Sequence, residues 1–356
     1  MNANMIKRKS AAFCTLGMLT IFAGADADCN SCKVSSMMPD GGGDDCISVP
    51  PPTSSVTLYS VAAGANLTAY WNADTRASTN SPPDQELLES DLTIDGAREF
   101  AFDARGALYL SGGYDDSIAV YENPMSANGN RPPDRRVTGL ESHVDTPFGI
   151  AIDQNHDELY LVDGDNEIHV YDISPEAGFD GDAPPLREFT IDLFPFTPNW
   201  VAFHNGSLYV ADARIEFEVY IFDDPSSLQG VVSPDRTFAY HGIELDVGFH
   251  VDASDRMIIA NRKADTILMW YDASNLDGSA PPDLEFSIDG AIGEQSLEHA
   301  VTDSKGRLYV LDNGDEEVVH VFDDVDLLTN GPQTPARAFN VQTSGSGRLL
   351  VREFLN

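Results

Sequence analysis

The sequence predicts an all-β chain folded as a six-bladed β-propeller of four-stranded antiparallel blades. Three observations carry this. A Leu-Tyr or equivalent apolar pair recurs at Leu58-Tyr59, Leu108-Tyr109, Leu159-Tyr160, Leu208-Tyr209, Met257-Ile258 and Leu308-Tyr309, a period of about 50 residues. Each copy divides into short β-branched or aromatic runs punctuated by Gly, Asp, Asn or Pro, as strands joined by turns do. Finally, the first copy lacks an inner strand, while the C-terminus carries a spare run from Gly347 to Glu353.

Taken in order, residues 1–25 read as a secretion signal. Lys7, Arg8 and Lys9 precede an apolar stretch from Ala11 to Ala23, and small residues follow at Ala23-Gly24-Ala25 and Ala25-Asp26-Ala27. The apolar stretch falls short of the ~20 residues of a membrane span, so the mature chain is expected to have none and to be secreted, periplasmic or at the cell surface. Residues 26–55, with Gly41-Gly42-Gly43 and Pro50-Pro51-Pro52, read as a flexible stalk. Its cysteines, Cys29, Cys32 and Cys46, give one disulfide and a spare thiol as the simplest arrangement, with a metal half-site or redox pair at Cys29-x-x-Cys32 as alternatives. N-terminal anchoring through Cys29 is a further option, although Asp26-Ala27-Asp28 is a poor lipid-attachment signal.

Residues 56–356 hold the propeller. The third copy spells the unit most fully: Phe148 to Asp153, Glu158 to Asp163, Glu167 to Asp172 and Pro185 to Ile191. Tight turns after the first strand, as at Asp103 to Gly106, His204-Asn205-Gly206 and Asp303 to Gly306, place Gly where positive φ is required. Such meanders leave open edges in a linear stack, and a closed ring removes them. The spare strand near Leu349 is therefore expected to complete the first blade.

These residues resemble the NHL repeat. Pro147-Phe148-Gly149-Ile150-Ala151-Ile152-Asp153, Leu159-Tyr160-Leu161-Val162-Asp163 and Ile168-His169-Val170-Tyr171-Asp172 follow its three strand patterns, and the copies at 96–140, 197–240, 246–289 and 297–340 follow them less fully. Asn199-Trp200 and Glu298-His299 depart from the usual Gly-containing start, and the Arg common before the third strand is missing from most copies. The resemblance implies a propeller fold. It leaves function open among protein-binding and RNA-binding modules, lyases and lactonase-like hydrolases.

Charge narrows that range. With 21 Lys+Arg against 58 Asp+Glu, the formal charge is −37. Such a surface repels nucleic acid and anionic lipid, so no nucleic-acid partner is expected, and it attracts cations.

Candidate ligand or metal residues follow from aligning the copies. Arg98-Glu99, Phe148-Gly149, Asn199-Trp200, Val247-Gly248 and Glu298-His299 occupy equivalent places where inner strands begin. Glu99, Asn199, Glu298 and His299, with His250 slightly deeper, form the polar set expected at the channel mouth, where carboxylate, amide and imidazole suit a divalent ion. The lactonase-like members of the resemblance would use one Glu, two Asn and one Asp there, a set these residues match only loosely. Acidic turns at Asp163 and Asp165, Asp180 and Asp182, and Asp312 and Asp315 have the oxygen-rich, Gly-spaced character of calcium loops. The same residues are also what tight turns select. His169 and His320 fall in third strands, where alternation makes them repeat-face residues. Asn66-Leu67-Thr68 and Asn205-Gly206-Ser207 match the N-glycosylation pattern, the second also reading as a hairpin turn.

No Ser/His/Asp grouping, Gly-x-Ser-x-Gly or His-Glu-x-x-His run is readable. The expectation is therefore a binding module for a protein, glycan or cation, with no cofactor established by the sequence and Ca2+ or another divalent cation as the candidate. The alternative is a metal-dependent lyase or lactonase-type hydrolase with its site in the channel.

Overall fold

The computed structural model describes residues 12–16, 19–23, 56–62, 66–76, 82–87, 96–126, 131–164, 166–192, 198–212, 217–243, 248–291, 295–314, 317–342 and 347–353. Near the N-terminus, Ala12–Leu16 pairs antiparallel with Leu19–Ala23. The stalk, with Cys29, Cys32 and Cys46, lies outside the described residues. Val56–Glu353 forms a separate compact unit.

That unit is a ring of six four-stranded blades, each with its innermost strand at the channel. Blade I consists of Gly347–Glu353, Val56–Ala62, Leu67–Trp71 and Gln85–Leu87. Blade II runs Ala97–Phe102, Leu108–Gly112, Ser117–Tyr121 and Arg135–Val137, and blade III runs Ile150–Asp153, Glu158–Val162, Ile168–Asp172 and Arg187–Ile191. Blade IV is Pro198–His204, Ser207–Asp212, Phe217–Phe222 and Arg236–Tyr240. Blade V is Phe249–Val251, Arg256–Asn261, Thr266–Tyr271 and Leu284–Ser287, and blade VI is Leu297–Thr302, Leu308–Asn313, Glu317–Phe322 and Arg337–Asn340. Each inner strand touches that of the next blade, and the Leu297–Thr302 strand touches Gly347–Glu353, which closes the circle. The expected completion of the first blade by the last strand is thus observed.

The repeating Leu-Tyr pair is the reason the blades stack. Alternation sends the two residues to opposite faces of a sheet, and a propeller blade is covered on both. In blade II, Leu108 packs toward blade I while Tyr109 packs toward blade III. The same division places six apolar clusters in the six gaps between neighbouring blades. Stability therefore depends on neighbours, as in other repeat architectures.

The Asp that ends most inner strands is a turn builder. Asp103, Asp252 and Asp303 each accept the backbone N–H four residues on, at Ala107, Arg256 and Arg307. The same carboxylates hold Arg105, Arg256 and Arg307, so buried charge is compensated where it lies. Blade IV has His204 in that column and turns instead on Asn205 and Gly206, at φ of 48° and 85°. That is the tight hairpin expected of Asn-Gly.

Outer strands are covered by their neighbours. Gly230–Val232, in the blade IV connection, pairs in parallel with Phe189 to Ile191 of blade III. Single parallel bridges at Val137 and Gly181, Phe238 and Gly278, and Ile288 and Gln333 repeat the device in other gaps.

Candidate functional site

Three inner strands carry a β-bulge near their start. Pairing slips between Ala97 and Phe100, between Pro198 and Trp200, and between Leu297 and His299. The slips fall on Glu99, Asn199 and Glu298, three of the expected mouth residues, and bulges re-aim the side chains around them.

What converges there centres on an arginine. The Arg348 guanidinium carbon lies 3.6 Å from the centre of the Trp200 ring. Trp200 stacks on His299 with centroids 5.7 Å apart and planes 16° from parallel. His299 Nδ1 accepts the Leu349 N–H at 3.1 Å, tying the stack to the closing strand. Glu99 Oε2 approaches Arg348 Nε at 3.9 Å. Gly248 makes the room, because a Cβ there would run into the Trp200 ring.

The other candidates are placed differently. Glu298 pairs with Arg262 of blade V at 3.0 Å. His250 Nε2 lies 3.3 Å from Thr302 Oγ1, and that hydroxyl donates to Asp252 Oδ2 at 3.3 Å. Asn199 stays at its bulge, and its carbonyl would be 3.0 Å from a Cβ at Gly149. Glu99 and His299 thus meet around Arg348 and Trp200, with His250 close enough for its charge to act on His299.

Burial dominates the electrostatics. It pushes the Glu99 carboxyl up to about 7, although Arg348 and the Phe100 N–H oppose the shift. It pushes His250 down to about 4 despite nearby Asp252. Burial also holds His299 well below the ordinary range, with Arg348 and His250 adding to the effect. Both imidazoles are neutral at pH 7, and Arg348 already supplies a permanent cation beside them. Neutral imidazole, amide and carboxyl groups here can hold a small polar ligand or exchange a proton near pH 7.

The acidic turns engage the protein itself. Asp163 Oδ2 meets His169 Nε2 at 2.6 Å, and Asp312 Oδ2 meets His320 Nε2 at 3.1 Å. Asp180 accepts the Arg136 N–H, while one oxygen of Asp182 accepts the N–H groups of Glu141 and Ser142. Asp165 and Asp315 lie outside the described residues.

A cluster that sequence reasoning missed lies on blade III. His143, His169 and Glu188 place one donor atom each within 4.8 Å of one another, the one such group of His, Cys, Asp or Glu among the described residues. Burial disfavours charge on His169, but the hydrogen bond and charge of Asp163, reinforced by Glu188, more than offset it and raise its pKa. Cross-strand pairing is the signal that could have found it, because His169 lies directly opposite Glu188. Arg348 and Trp200 were missed for another reason: the first was read only as part of the closing strand, the second only as a departure from the repeat.

No family model matches the chain, and no curated protein matches it. Solved structures do match in fold. One is a protein of unknown function from Bacteroides caccae, at 10% identity and a TM-score of 0.53, covering 84% of this chain and 99% of its own. Another comes from a nidogen/laminin complex, at 14% identity and a TM-score of 0.52, covering 80% of this chain and 93% of its own. At such identities the likeness establishes the six-bladed propeller fold alone.

Proposed function

We propose that the chain is an exported, NHL-like propeller that serves as a binding module for a protein partner, offering it a rigid and strongly acidic surface. The observation that carries this reading is Arg348 on Trp200 at the channel mouth. The Arg348 guanidinium lies beside Glu99 and the Trp200–His299 stack, so a divalent ion held by Glu99 and His299 would meet a like charge nearby. The formal charge of −37 supports an electrostatically steered encounter with a basic partner surface. The solved propeller from the nidogen/laminin complex comes from an assembly with another protein.

The test immobilises the full chain, exposes it to the native envelope fraction, and measures the affinity of any retained protein against added salt. A defined partner whose affinity falls as salt rises supports the reading. A tightly held divalent ion, with lyase or lactonase turnover that both vanish on replacing Glu298 and His299 by Ala, would support the enzyme instead. A retained glycan or free cation with no protein partner would redirect the reading to those ligands.

A further inference from the structure

We propose that His143, His169 and Glu188 form a binding site for a divalent transition-metal ion, zinc above all. The first ground is a conflict of donors and acceptors around one ring. His169 is 2% exposed and lies between two carboxylates, with Nε2 2.6 Å from Asp163 Oδ2 and Nδ1 2.9 Å from Glu188 Oε1. A neutral imidazole has a single N–H, so it can satisfy only one of these acceptors. The other acceptor must be met by a second proton or by a metal ion, and with Nε2–H given to Asp163 that ion would bind Nδ1 on the Glu188 side. Glu188 Oε1 also meets Nδ1 of His143, so a second imidazole nitrogen points at the same oxygen.

The second ground is the built surroundings. Asp163 is fully buried, and a carboxylate that fixes the far nitrogen of a histidine is the standard outer support of a metal ligand. The loop that presents His143 is anchored at its neighbour Ser142. Tyr171 donates to the Ser142 carbonyl at 2.7 Å, and Asp182 accepts the Ser142 N–H at 2.9 Å. His143 itself is half exposed, which leaves a route for an ion to enter.

The third ground is an internal control. Blade VI repeats the inner half of the arrangement, with His320 Nε2 on Asp312. There the residue opposite the histidine is Ala338 instead of Glu188, and His320 Nδ1 has no hydrogen-bond partner among the described residues. The His-Asp pair thus occurs in blade VI without the additional Glu and His that accompany it in blade III.

Two imidazoles and a carboxylate are borderline ligands that favour zinc, cobalt, nickel or copper over calcium and magnesium. Three protein ligands leave a fourth tetrahedral position for water or an incoming group. Donors around zinc stand roughly 3.3 Å apart, so the exposed His143 must swing outward slightly from its present contact.

The experiment uses the full chain with its cysteines alkylated, which removes thiolate binding by the stalk, and a millimolar excess of magnesium to suppress weak binding by surface carboxylates. Zinc is added alone and measured by equilibrium dialysis, with cobalt as a spectroscopic stand-in. One ion per chain at micromolar affinity or tighter is expected. Either His143→Ala or Glu188→Gln should weaken it at least tenfold, with thermal melting showing that each variant remains folded. Asp163→Asn should weaken it roughly 10–100-fold. His320→Ala should change nothing. Absence of zinc binding by the parent, or parental affinity in either His143→Ala or Glu188→Gln, would overturn the proposal.

Discussion

Leu350, on the last strand of the chain, pairs directly with Tyr59 on the first strand of the ring. The two strands run in register from Gly347 opposite Ala62 to Glu353 opposite Val56. Ending the chain at Ser346 removes the inner strand of blade I, so it should lower the melting midpoint steeply or abolish folding. Leu349→Ala, at a site 1% exposed, offers a graded version and should cost about 2–5 kcal/mol in urea unfolding. An unchanged midpoint in the truncated chain would show that the ring does not depend on this closure.

A second prediction concerns pH. Glu99 titrates near 7 when folded against 4.5 when free, so the folded state keeps a proton that the unfolded chain releases, and stability falls as pH rises through that window. His250 titrates near 4 against 6.5, so the unfolded chain takes up a proton that the folded state refuses, and stability falls as pH drops from 6.5 toward 4. The two slopes oppose each other in the parent. Glu99→Gln should leave the histidine slope uncovered and gain up to about 3 kcal/mol relative to the parent on going from pH 4 to pH 8, since each tenfold change in proton affinity is worth about 1.4 kcal/mol. Superimposable pH profiles for parent and variant would refute this.

The turn-building carboxylates give a third. Asp303 is 7% exposed and accepts from the Lys305 and Arg307 N–H groups, the Arg307 side chain at 2.5 Å and the Tyr309 hydroxyl at 3.1 Å. Asp303→Ala leaves the mostly buried Arg307 guanidinium with Asp74 as its remaining carboxylate and strips the turn N–H groups of their acceptor, which should cost at least about 1–3 kcal/mol. Asp303→Asn, which keeps an acceptor, should cost less. Equal losses for the two would mean that the negative charge, which both variants remove, carries the whole effect and the retained acceptor none of it.

Surface charge gives a fourth. With a formal charge of −37, self-repulsion opposes the compact state, and screening reaches within ~10 Å at 0.1 M salt. Monovalent salt should raise the melting midpoint progressively. Calcium and magnesium compared at matched ionic strength then separate general screening from a selective ion in the acidic turns.

The fold was legible because its period is long-range and redundant: Leu108-Tyr109 and its equivalents mark every blade, and each pair is buried on both sides. Closure was legible as well, since Gly347 to Glu353 had no partner within its own copy. The site was harder to read. Aligning copies located the bulged positions Glu99, Asn199 and Glu298, but alignment reports columns and not directions, and the side chain of Glu298 turns to Arg262. Arg348 escaped because the strand that brings it to Trp200 belongs to blade I only after the ring closes. His143 and Glu188 come from segments before and after the His169 strand, so only the pairing of strands brings them together.

The dependence of blade I on Gly347–Glu353 also sets a clock. A ribosome adding about 10 residues per second needs on the order of half a minute between finishing Leu67–Trp71 and delivering the closing strand. Through that interval Val56–Ala62 has emerged without its inner partner. The ring therefore closes only once that strand has been made, so its completion is a late step that the earlier blades cannot supply among themselves.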